Sequence, residues 1–157
     1  MEITKLKIDT KMVLVDYSTE AGDFRIKTEE DPSQDLLKAL AKLKETFVRR
    51  MQFESVKERT MVTGFESGKD DTGQWYRITG IYTANLVGHK ITTPKIRESN
   101  DPEFWEGKEP EEWPGFLNAE ETELMLVAVQ EAEEFVRGKR AQLPLEEGQE
   151  NLFGEDA

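Results

Sequence analysis

The chain has 157 residues, enough for one domain with a sizeable core and no covalent staples. It holds 33 acidic residues against 21 basic ones, a formal charge of -12 that opposes attraction to DNA, RNA or anionic membranes through the net field, so a basic face would have to work locally against that background. Cysteine is absent, which excludes disulfides, thiolate chemistry and cysteine-ligated metal. No apolar leader or run of membrane-spanning length is legible, so the reading is a soluble, untargeted, cytoplasmic protein.

From the N-terminus, Ile3, Leu6 and Ile8 begin a strand, Asp9-Thr10-Lys11 supplies a hairpin connection, and a second strand runs from Met12 to Tyr17. In that strand Val13, Val15 and Tyr17 form the better core face. Gly22-Asp23 turns the chain into a third strand carrying Phe24 and Ile26, and such short connections predict antiparallel pairing. Asp31-Pro32-Ser33-Gln34 reads as a helix start with Asp31 as the cap. Leu36, Leu40, Leu43 and Phe47 then recur at helical spacing, widened by Leu37, Val48 and Met51 into a stripe that should bury against the sheet. Lys38, Lys42, Lys44, Arg49 and Arg50 are left over as a locally basic surface, read as a solvated helix face in preference to a nucleic-acid contact.

Thr60 to Phe65 is the next strand, and Ser67 to Gly73 a polar hairpin turn without the order of a phosphate-binding loop. The strongest strand signal is Gln74 to Ala84, in which Tyr76, Ile78, Gly80, Tyr82 and Ala84 share one parity and face the core. Trp75, Arg77, Thr79, Ile81 and Thr83 share the other, as a partly exposed sheet face would. A further strand is expected over His89 to Ile96, with Pro94 marking an edge or bulged end.

Ser99 to Phe116 has three prolines, several acids and no regular period. Its Trp105 and Trp113 read as pins holding an irregular connection to the body. The functional alternative is an aromatic partner surface that includes Trp75. Asn118 with Glu121 forms a capping box, Leu124, Ala128, Ala132 and Phe135 make the stripe of a second helix, and Gly138 ends it. The expected fold is therefore α+β: a largely antiparallel sheet of five or six strands with two helices on one face, in a βββα-βββα order. Residues 1–138 form the domain and 139–157 a flexible acidic tail.

Residue patterns for catalysis are weak. The sole histidine, His89, has no nucleophile or orienting partner in the pattern and reads as a surface residue, while pairs such as Asp70-Asp71, Glu120-Glu121 and Glu133-Glu134 read as solvated. No metal-ligand spacing is present, so neither a metal nor any other cofactor is expected.

The tail holds two apolar islands, Gln142-Leu143-Pro144-Leu145 and Gln149-Glu150-Asn151-Leu152-Phe153. Both resemble the short peptides by which bacterial DNA-metabolism proteins dock onto the replicative sliding clamp. The resemblance implies that Gln149 enters a small polar site and that Leu152 and Phe153 fill an apolar pocket, although Glu150 stands where leucine is preferred. Gln142 and Leu143 make the preferred opening pair, followed by Leu145, with Glu146 where the shorter version has phenylalanine. The order of N-terminal hairpins, capped helix, a strand like Tyr76-Arg77-Ile78-Thr79-Gly80 and a late helix running into the tail is similar to that of small phage and prophage proteins. Together these imply a non-enzymatic accessory protein in a bacterial host, recruited to replication or repair machinery through its tail. Direct nucleic-acid binding is not expected. The alternatives are an acidic inhibitor or DNA mimic, and a small-ligand module or enzyme.

Overall fold

A computed structural model describes residues 1–71, 73–98 and 115–141. Strands β1 (Glu2–Asp9), β2 (Met12–Thr19) and β3 (Gly22–Thr28) form consecutive hairpins. Helices α1 (Gln34–Lys42) and α2 (Lys44–Met51) and a 3₁₀ turn at Glu54–Arg59 follow, and the chain returns to the sheet through β4 (Thr60–Asp70), β5 (Gly73–Ala84), β6 (Val87–Thr92) and β7 (Ile96–Glu98). After residues 99–114 come β8 (Phe116–Leu117) and α3 (Ala119–Val136).

The fold is α+β, an open mixed sheet with the three helices packed on it. The path runs β3-β2-β1-β4-β5-β7-β8, and β6 pairs with the later part of β5. All pairings are antiparallel except β7 with β8, which run parallel. Eight strands among the described residues replace the expected five or six. Two of them come from dividing the strand expected over His89 to Ile96. Pro94 has no amide to donate, and the ladder is bridged there by Thr93, whose N–H donates to the Ile78 carbonyl (2.9 Å) while its Oγ1 accepts from the Ile78 N–H (3.0 Å).

The first helix also departs from expectation. Ser33, not Asp31, caps it, accepting the Leu36 N–H at 3.2 Å. The run to Met51 is two helices, because at Leu43 the chain tightens into a bond from its N–H to the Leu40 carbonyl (3.0 Å) before helical pairing resumes. Leu43 is fully buried at this joint. Beyond it Phe47 presses onto the sheet at Gly80, where a Cβ would stand 2.8 Å from the ring, so glycine is what permits this approach.

The core lies between that sheet face and the helices. Leu6, Val15, Phe65 and Ile78 pack with Leu36, Leu40, Leu43 and Phe47 from α1, the joint and α2, and with Met125, Ala128, Ala132 and Phe135 from α3. Each of the large side chains in this set contributes about 1.5–3 kcal/mol by leaving water, and the two alanines less. The capping box of α3 is present: Asn118 Oδ1 accepts the Glu121 N–H (2.8 Å) and Glu121 Oε1 accepts the Asn118 N–H (3.0 Å). Gly138 takes φ +114° after the last turn. Lys139, Arg140 and Ala141 fold back on the body, with the Ala141 N–H on the Asp31 carbonyl, Arg140 paired to Glu30 and its guanidinium 3.6 Å from the Phe135 ring centroid.

Candidate functional site

Every helix packs on one side, so among the described residues the other face of the sheet carries no helix, and strand register decides what stands on it. Leu6, Phe65 and Ile78 are cross-strand partners in the core, so Lys5, Lys7, Glu66, Arg77, Thr79 and, on β6, Lys90 and Thr92 belong to the open face. Lys5, Lys7 and Lys90 border a small hollow of about 30 Å³ whose floor includes Thr63, Thr79 and Thr92. The Thr79 and Thr92 hydroxyls are 3.1 Å apart and Thr63 Oγ1 reaches the Thr79 carbonyl at 3.5 Å, leaving capacity for a further partner.

One end of this face carries Trp75. Its indole lies across β4 at Gly68, where a Cβ would sit 2.6 Å from the ring, so the missing side chain is the indole's seat. Arg77 and Lys95 flank the ring at 5.4 Å and 4.6 Å from its centroid. At the other end Met61, 60% exposed, and Ile81 reach an apolar groove of about 660 Å³ that runs to the helix side, where Leu37, Leu40 and Ala41 of α1 line it.

Several cations on the face are held by carboxylates, Lys95 by Asp70 at 3.6 Å among them. Arg25 makes a two-pronged bond to Asp16 (2.7 and 3.0 Å) and Arg97 to Asp70 (2.7 and 2.8 Å), while Arg77 lies 3.7 Å from Glu66. The Arg25 bond holds the Asp16 carboxyl below the usual aspartate range, and the Asp70 bond raises Arg97. Lys5, Lys7 and Lys90 make no close ion pair among the described residues, although Lys5 stands between Asp16 and Glu66 across the ladder and its charge also acts on the Asp16 carboxyl.

The net charge of -12 is unevenly distributed. Segments 99–114 and 142–157 hold eleven of the 33 acids and one of the 21 basic residues, so the described residues carry 22 acids against 20 bases, a net of -2. The described residues taken by themselves are therefore nearly balanced in charge.

A second cluster joins α2 to α3. Arg49 and Arg50 were expected on a solvated face and Glu121 in a solvated pair. Instead the Arg50 and Glu121 side chains are only 4% and 5% exposed. Both guanidiniums meet the Glu121 carboxylate, Arg50 at 2.9 Å, and Arg50 also donates to the Phe116 carbonyl. An open hollow of about 320 Å³ adjoins them, bordered by Lys42, Glu45, Glu54 and Glu120. The cluster ties the start of α3 to α2, a structural role. His89 is exposed, its ring 6.3 Å from that of Tyr82.

Of the residues singled out from sequence, Trp75 stands on the open face. Trp105, Trp113, Gln142, Leu143, Leu145, Gln149, Leu152 and Phe153 lie outside the described residues. Sequence reasoning passed over Lys5, Lys7 and Lys90, although the alternation of Lys5 and Lys7 with Leu6 and Ile8 carries the signal. Among the described residues no cluster of three or more acidic or histidine side chains is placed to hold a metal ion, and no helix is long and apolar enough to cross a membrane. No family model matches the chain, and no curated protein or solved structure is significantly similar to it.

Proposed function

We propose that this chain is a non-enzymatic accessory protein of a phage or prophage, working in a bacterial cytoplasm beside DNA replication or repair machinery. The observation that supports it is the uncovered sheet face, which is furnished for contact: lysine ammoniums, threonine hydroxyls and a seated indole bind partners, but together make no nucleophile, base and orienting group. The segment beyond Ala141 begins from an anchored point, since Ala141 is bonded to Asp31 and Arg140 to Glu30. It carries Gln149, Leu152 and Phe153 in the order of a clamp-docking peptide, with Gln142, Leu143 and Leu145 as a second island.

Isothermal titration of a bacterial sliding clamp against the full chain and against a Gln149→Ala, Phe153→Ala double variant tests the tail. The expected result is binding by the full chain, weakened at least tenfold in the variant because the pocket-filling aromatic is an anchor. Equal binding by both, or by neither, sinks tail docking.

A further inference from the structure

We propose that the open face of the sheet binds single-stranded nucleic acid, with phosphates at Lys5, Lys7 and Lys90 and a base against Trp75. This goes beyond the tail-docking reading and does not depend on it. The first support is charge complementarity. In the middle of the face Lys5, Lys7, Arg77 and Lys90 stand against two carboxylates, Glu66, which lies 3.7 Å from Arg77, and Asp16, which is opposite Lys5 and bonded to Arg25. The three lysines make no ion pair among the described residues, whereas Arg25 and Arg97 are committed to Asp16 and Asp70. A polyanion would thus meet Lys7 and Lys90 without first breaking an ion pair, and at Lys5 would compete with the field of Asp16 and Glu66 on either side.

The second support is the kind of donor between the lysines. Hydroxyls of Thr79 and Thr92, 3.1 Å apart at the hollow, can donate to phosphate oxygens, and the hollow is sized for a phosphate oxygen and not for a small-molecule ligand. The third is Trp75. The indole lies on the strand at Gly68 with Arg77 and Lys95 over its ring, so a base stacks there by turning one of these cations aside toward a phosphate, and only a single strand offers its base faces freely. Trp75 and Ile81 are six residues apart on β5, about 20 Å of extended strand, so the lysine hollow lies between an aromatic and an apolar end. An acidic peptide could use the same lysines, and competition by polyglutamate separates the two.

Fluorescence anisotropy of a labelled oligothymidylate of about fifteen nucleotides, titrated with the full-length protein, tests the proposal. With three phosphates neutralised, affinity should fall about twenty-fold between about 50 and about 200 mM NaCl. Replacing all three lysines by glutamine should cost at least tenfold at the lower salt and flatten the salt dependence. Lys90→Gln alone, on the edge strand β6, should remove about a third of the slope and covers the case in which the triple variant folds poorly. Trp75→Ala should weaken binding on the order of tenfold, with Trp75→Phe retaining most of it. The proposal is overturned if no binding is seen at the lower salt, if Lys90→Gln and the triple variant bind like the parent, if a duplex of the same length binds as tightly, or if polyglutamate displaces the strand as well as unlabelled oligonucleotide does. The last outcome would mark a site for acidic protein segments.

Discussion

Tyr76 is buried in the core at the end of the sheet, with its hydroxyl donating to Glu98 Oε2 at 2.5 Å. Burial first, and the bond to Glu98 second, push its ionisation well above the ordinary tyrosine range. A raised folded-state value means that the unfolded chain loses this proton first. The stability tied to Tyr76 is therefore fully present below about pH 10 and drains away as pH climbs from there toward the folded value, by at most about 1.4 kcal/mol per pH unit. Urea melts of the parent and Tyr76→Phe from about pH 8 to about pH 11 check this. The parent should be the more stable at the low end by about 1–2 kcal/mol, the worth of a hydrogen bond to a carboxylate, and the gap should narrow at the high end. A constant gap would show that the hydroxyl does not titrate with unfolding.

Between elements, the joint that matters most is the one Glu121 makes. A surface pair such as Arg25 with Asp16 adds little to stability, because solvent screens it. Glu121 is different, since it answers both Arg49 and Arg50 and closes the capping box of α3. Glu121→Ala should cost about 3–5 kcal/mol, seen as a lower urea midpoint at unchanged slope, because it leaves two guanidiniums at a buried joint without their shared counter-charge. A loss under about 1 kcal/mol would show that the joint relaxes or hydrates freely. The sequence made half of this joint legible. Asn118 and Glu121 announced a capping box through their spacing, which is local, whereas the arrival of Arg49 and Arg50 is a contact across some seventy residues that no local pattern encodes. The core faces of β2 and β5 were readable for the same reason, since period-two alternation is a local property. The break at Leu43 was hidden because both helices continue one apolar stripe through it. The hairpin Asn85-Leu86, both residues at positive φ, lacked the glycine that usually marks such a turn, and the parallel partner β8 is only two residues long. For the candidate site, Trp75 was visible as an outward strand residue. Lys5 and Lys90, which share its face, come from strands on opposite sides of β4 and β5, and only the sheet order brings them together.

For the whole molecule, what counts is where the charge sits. A chain of net charge -12 spread evenly would repel itself in the compact state, and added salt would then raise its melting temperature by screening. The described body carries only -2, with its acids drawn into pairs such as Asp16 with Arg25, Asp70 with Arg97 and Glu131 with Lys139. Screening that body should remove as much attraction as repulsion. Raising NaCl from about 50 to about 500 mM is therefore expected to move the thermal midpoint by no more than about 3 °C, the equivalent of about 1 kcal/mol for a domain of this size. Over the same range the affinity of the open face for a single strand should collapse, because counterion release scales with the few lysines that meet phosphate and is insensitive to net charge. Differential scanning calorimetry beside the anisotropy titration separates the two effects. A midpoint rising by ten degrees or so would mean that the acidic segments 99–114 and 142–157 press their charge on the folded body, and that the lysine face works inside a field far more negative than its own residues create.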